Sequence, residues 1–108
     1  MENISENIRT QMRKGLLEYC ILRILSKGEA YASSIIEGLR TADMIVVEGT
    51  LYPLLIRLKN QGVLTYRWEE STQGPPRKYY MITEKGESLL QEMDSAWNEL
   101  VESINKLK

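Results

Sequence analysis

A mainly α-helical chain with one small β-hairpin and a long terminal helix is the fold that the sequence predicts. Three observations carry that expectation. Leucines recur at helical spacing from Leu51 to Leu58. Apolar and polar residues alternate on both sides of a turn-rich stretch between Leu64 and Ile82. A regular apolar seam then runs from Leu90 to Leu107.

The first helix is expected from about Ser5 to Ser26, with Met12, Leu16, Cys20 and Ile24 inward and Leu17, Ile21 and Leu25 beside them. Lys27-Gly28-Glu29 ends it, a basic residue and then glycine being the usual order at a helix C-terminus. A second helix spans roughly Ala30 to Leu39, with Tyr31, Ile35, Ile36 and Leu39 inward. Arg40 to Val47 connects it onward, partly buried through Met44, Ile45 and Val46.

The third helix, Glu48 to Gln61, places Leu51, Leu54, Leu55 and Leu58 on one stripe at i, i+3, i+4 and i+7. Its other side carries Thr50, Tyr52, Pro53, Arg57, Lys59 and Asn60. Pro53 lies about one turn inside, and its ring would crowd the carbonyl four residues back. That residue is Gly49, so only a slight bend is expected. Gly62 suits a left-handed cap.

In the hairpin, Leu64, Tyr66 and Trp68 alternate with Thr65, Arg67 and Glu69. On the return, Lys78, Tyr80 and Ile82 alternate with Arg77, Tyr79 and Met81. The intervening stretch, residues 71–76, is rich in turn formers and too polar to bury. Arg77 and Lys78 follow it, where they can reach a phosphate or the minor groove. Tyr80 shares a face with Ile82 and is expected to pack. Most amphipathic helices touch no nucleic acid, and hairpins often carry charge for solubility alone. Helix followed directly by basic hairpin is the order of a winged helix-turn-helix, and the pair points to duplex DNA.

Thr83 is a good N-cap for the last helix, with Glu84 in its first turn. Leu90, Met93, Trp97, Leu100, Ile104 and Leu107 then step by three or four residues, a heptad seam widened by Leu89 and Val101. Such a helix needs a packing partner. The simplest is its copy in a two-fold homodimer; the alternative is folding back on the first helix. The reading is therefore a single domain: residues 1–83 form the winged-helix part with the N-terminal helix, and residues 84–108 the dimerisation helix. Two copies would offer their third helices to successive major grooves about 34 Å apart on a near-palindromic operator.

Composition sets the outer limits. A chain of 108 residues supports one domain. No apolar run approaches the ~20 residues of a membrane span, and the polar, mixed-charge start is no signal peptide. The single Cys20 sits in an apolar run, as fits a buried thiol in the cytoplasm. With no histidine, no phosphate loop and no nucleophile–base pair, neither a metal, a cofactor nor an enzyme is expected. Net charge is −1, but residues 87–108 hold two lysines against five acids, leaving twelve basic against ten acidic residues elsewhere. Binding would rest on a local basic surface and weaken quickly with salt. The near-neutral total also leaves open a winged-helix module that binds another protein instead of DNA.

Three stretches resemble the PadR family of bacterial transcriptional regulators: Gly28 to Tyr31 (GEAY), Glu48 to Gly62 (EGTLYPLLIRLKNQG) and Gly74 to Thr83 (GPPRKYYMIT). The resemblance covers nearly the whole chain. It implies a winged helix-turn-helix, a homodimer built by the first and last helices, and usually repression. Carried over by position, it puts Thr50, Tyr52, Pro53 and Arg57 at the DNA-facing end of the third helix and Arg77 and Lys78 in the wing. Ser33, Ser34, Arg13 and Lys14 are further candidates for phosphate contact. The start of the second helix departs from the pattern, with Ala32 where glycine is common.

The short C-terminus resembles the smaller branch, whose members include regulators answering to planar drugs. In such relatives a tryptophan at the place of Trp97 lines a dimer cavity and stacks on flat aromatic ligands. Met12 and Met93 would be adaptable neighbours and Tyr19 a polar edge. Alternatively, Trp97 only anchors the interface. One turn on stands Val101, where an acid would hold a cationic drug, so a neutral or anionic ligand is expected.

Overall fold

Leu51, Leu55 and Leu58 of the expected third helix are fully buried, and the rest of the core gathers around them: Ile21, Leu22, Ile35, Leu39 and Leu64. The computed structural model describes residues 3–108, so the first two residues of the polar start lie outside the described part. Five helices and three strands follow in order: α1 (Ile4–Lys14), α2 (Leu17–Leu25), β1 (Ala30–Tyr31), α3 (Ala32–Thr41), α4 (Glu48–Asn60), β2 (Leu64–Ser71), β3 (Gly74–Ile82) and α5 (Glu84–Leu107). The arrangement is a winged helix-turn-helix with a long terminal helix, as expected.

The helix α4 runs through Pro53 without interruption. Three buried leucines at roughly 2 kcal/mol each outweigh the ~3 kcal/mol that an interior proline costs. Gly62 adopts φ 78°, the left-handed cap that follows α4.

The expected first helix is two helices. It breaks at Gly15–Leu16, where the Leu16 amide bonds back to the Arg13 carbonyl. Glycine weakens helix at that point, and the core claims only the second piece. Leu17, Ile21, Leu22 and Leu25 are buried on α2, whereas α1 buries nothing and leaves Met12 exposed. Cys20 is half-buried, and burial pushes its thiol pKa up, away from reactivity.

Tyr31 does not begin a helix. It lies in β1, which pairs antiparallel with β3 (Ala30↔Tyr80, Tyr31↔Tyr79), giving a sheet ordered β1-β3-β2. In the following connector Met44 and Val46 are half-buried, but Ile45 is exposed. The hairpin turn is shorter than its composition suggested. Only Thr72 and Gln73 separate the strands, and Pro75 and Pro76 belong to β3. They fall where the register shifts between Glu69↔Arg77 and Ser71↔Gly74. There Glu70 faces two prolines, a bulge that tolerates their missing N–H groups.

Candidate nucleic-acid interface

The two central helices begin at the same opening. Neither Tyr31 before α3 nor Val47 before α4 caps its helix with a side chain, so no side chain claims the first-turn amides there. The wing closes the third side. The result is a cleft of about 400 Å³ bordered by Tyr31 and Ser33 from the β1–α3 junction and Glu48 and Tyr52 from α4. Trp68, Pro76, Arg77, Lys78 and Tyr80 complete it from the wing.

Strand register decides how the wing cations lie. Leu64↔Ile82, Tyr66↔Tyr80 and Trp68↔Lys78 share one sheet face. Tyr80 on that face is buried, as expected, and burial raises its hydroxyl pKa. Lys78 Nζ rests 4.6 Å from the Tyr66 ring centre and 5.5 Å from that of Trp68. Arg77 points to the opposite face. Its guanidinium lies 4.0 Å over the Tyr31 ring, and Nη2 donates to Ser33 Oγ at 2.9 Å. Neither is a loose charge just past a turn. Both are mid-strand side chains shelved on aromatic rings, a geometry that keeps a cation presented at little ordering cost.

Of the residues expected to meet DNA, the cleft brings together Ser33, Tyr52, Arg77 and Lys78. Thr50, Pro53 and Ser34 are exposed nearby in sequence but do not border it. Arg57 does not border the cleft either. It lies well round α4 from Tyr52, because five residues advance a helix by about 140°. There its guanidinium pairs with Glu18 of α2. Lys14, at the exposed end of α1, borders that same second region, while Arg13 is exposed beside it. Tyr31, Glu48 and Trp68 border the cleft without having been singled out. Counting register from the two-residue turn alone sets Trp68 opposite Arg77; the extra residue of the bulge is what brings it opposite Lys78.

The second region is a cleft of about 320 Å³ between α2, α4 and α5, lined by Tyr19, Met93, Ala96, Trp97 and Leu100 together with Lys14, Glu18 and Arg57. It joins three of the four expected ligand residues. Met12 does not border it: the break before α2 leaves it on α1, 69% exposed. The Tyr19 hydroxyl donates to Asp94 Oδ1 of α5, and this bond, more than burial, raises the Tyr19 pKa. Arg23 Nη1 stands 3.7 Å from the same carboxylate.

The seam on α5 divides in two. Leu90 is 6% exposed and belongs to the protomer's own core, with Met93 packed against it, so Leu90 is not free for a partner. Beyond them Trp97, Leu100, Ile104 and Leu107 are 42, 57, 53 and 82% exposed. Ile4, Ile8 and Met12 form a second exposed apolar row along α1. Among the described residues no helix is long and apolar enough to cross a membrane. No group of three or more metal-binding side chains occurs there either.

The family model for the transcriptional regulator PadR-like family matches residues 21–92. The chain belongs to that family. It is 61% identical to a PadR-like transcription factor from Bacteroides fragilis, over 94% of this chain and 99% of that one, with a TM-score of 0.81. A PadR family transcriptional regulator from Eggerthella lenta is 33% identical, over 96% and 88% of the two chains, with a TM-score of 0.84. An uncharacterised protein of Lysinibacillus sphaericus is 31% identical over 91% of this chain and 93% of its own. Membership makes the chain a PadR-like transcriptional regulator, a class that works on DNA and not an enzyme class.

Proposed function

We propose that this PadR-like regulator is a cytoplasmic homodimeric repressor that grips a near-palindromic operator with α4 and the wing of each copy. The observation that carries the reading is the convergence of Tyr52, Ser33, Arg77 and Lys78 on one open cleft beside two uncapped helix starts. In this reading Tyr52, Thr50 and Pro53 enter the major groove, while Ser33, Ser34 and the wing cations hold phosphates. Arg57, exposed on α4 and paired with Glu18, is a further candidate for phosphate contact. The exposed half of α5 and the apolar row on α1 supply the dimer surface, through Trp97, Leu100, Ile104 and Leu107.

A small flat aromatic ligand in the Trp97 cleft releases the operator. Its volume is at the lower end for ligand pockets, and Lys14 and Arg57 outnumber Glu18 there, which favours a neutral or anionic ligand. The DNA reading is tested by anisotropy titration of a labelled duplex from upstream of the protein's own gene at several salt concentrations. Replacing both Arg77 and Lys78 by Ala should weaken binding by about tenfold or more and lower the salt slope by nearly two. Retained affinity with an unchanged slope removes the wing from the interface.

A further inference from the structure

Two arginines, Arg67 and Arg77, lie on the same outer face of the wing, and their partners differ in charge. Arg67 is neutralised twice, by Glu29 at 3.0 Å and by Glu69 at 2.9 Å, while lying 4.6 Å over the Tyr79 ring. Arg77 touches only neutral groups, the Tyr31 ring and the Ser33 hydroxyl, and pairs with no carboxylate among the described residues. The rings of Tyr31 and Tyr79 are 4.7 Å apart and tilted by 47°. The two guanidiniums therefore flank a pair of neighbouring rings, in a stack fixed at one end by carboxylates. Its other end is Arg77, which has Glu69 opposite it in the register but forms no ion pair with it.

We propose that Tyr31 is a positioning residue for DNA binding: it shelves the Arg77 guanidinium beside Ser33 so that the two close together on one backbone phosphate. The inference rests on the wing reading above and adds a residue to it. The chemistry fits an anion. Ser33 Oγ accepts from Arg77 Nη2, which leaves the serine's own proton to donate outward. Arg77 keeps its remaining N–H donors for phosphate oxygens. A stacked guanidinium has already lost most of its rotamer freedom, so contact with phosphate orders little more. Arg67, satisfied on both sides, holds the stack and takes no part in binding.

A mixed-sequence 30-base-pair duplex is the probe, because a phosphate clamp is indifferent to base sequence. Tyr31→Leu should weaken binding roughly three- to tenfold and lower the salt slope by close to one, whereas Tyr31→Phe, which keeps the ring, should bind like the parent. In an Arg77→Ala background Tyr31→Leu should change nothing further, since both act through one guanidinium. Arg77→Lys keeps the charge but not the planar stack, and should bind within about twofold of Arg77→Ala. It decides the matter even if Tyr31→Leu does not fold. Weakened Arg77→Ala beside parental Tyr31→Leu, or parental affinity in Arg77→Lys, overturns the inference and leaves the wing reading standing. An Arg77→Ala protein that binds like the parent also overturns the inference, while the double replacement of Arg77 and Lys78 decides the wing reading separately.

Discussion

At Gly86 a Cβ atom would lie 2.0 Å from the Val63 carbonyl oxygen and 2.7 Å from the Ile82 side chain. Ile82 can move, but the Val63 carbonyl is main chain and already accepts from the Thr83 amide at 3.2 Å. Gly86→Ala should therefore cost about 1–3 kcal/mol, read as a lower urea midpoint at constant m-value. A midpoint equal to the parent's would show that this close approach carries no packing. Tyr19 makes a different kind of prediction. Its pKa is raised first by donating to Asp94, so folding favours the protonated phenol. The contribution is complete below the unfolded value of 10.0 and is lost as pH rises through the higher folded value. Parent and Tyr19→Phe should thus differ in melting temperature at neutral pH and converge in strong alkali. Tyr80, whose pKa is also raised, is common to both and cancels. A difference that persists unchanged above the folded pKa would remove the hydrogen bond from the account.

Among the elements, α4 was legible because its leucines share one stripe and all face the core, and because glycine at 62 has one conformational use there. The break between α1 and α2 was not, since the apolar stripe reads straight through Gly15 and only three-dimensional packing separates exposed Met12 from buried Leu17. The wing shows the same division. Alternation revealed both strands and the inward Tyr80, but the prolines read as turn because a bulge that accepts them leaves no local mark. The site followed suit. Arg77 and Lys78 were visible from the order of helix and wing, and Ser33 and Tyr52 from the resemblance to the family. Tyr31 and Trp68 required the register, and Arg57 required knowing that α2 stands beside it. In α5 the core claims Leu90 and the solvent half keeps Trp97. Naphthalene derivatives of neutral, anionic and cationic character should then quench tryptophan fluorescence in the order anionic or neutral above cationic, and Trp97→Ala should abolish the response. Quenching that survives would implicate Trp68, which is 61% exposed on the wing.

For the whole molecule, the far half of α5 leaves Trp97, Leu100, Val101, Ile104 and Leu107 exposed, and the proposed two-fold pairing would cover them. Leu100→Asp should halve the sedimenting mass and, by separating the two reading heads, weaken operator binding steeply; an unchanged mass would move the interface elsewhere. A consequence for regulation lies in the joint between α4 and α5. Thr83 Oγ1 accepts from the Gly86 amide and donates to the Gly62 carbonyl, while Lys85 Nζ donates to the Gln61 carbonyl at 2.7 Å. With the Gly86 contact, these bonds tie the end of α4 to the start of α5. A 24-residue rod so mounted is about 36 Å long, and a 5° tilt displaces its far end by about 3 Å. In a paired molecule, a slight wedge between the two rods would be magnified into a change of stride along the double helix, with no rearrangement inside either copy.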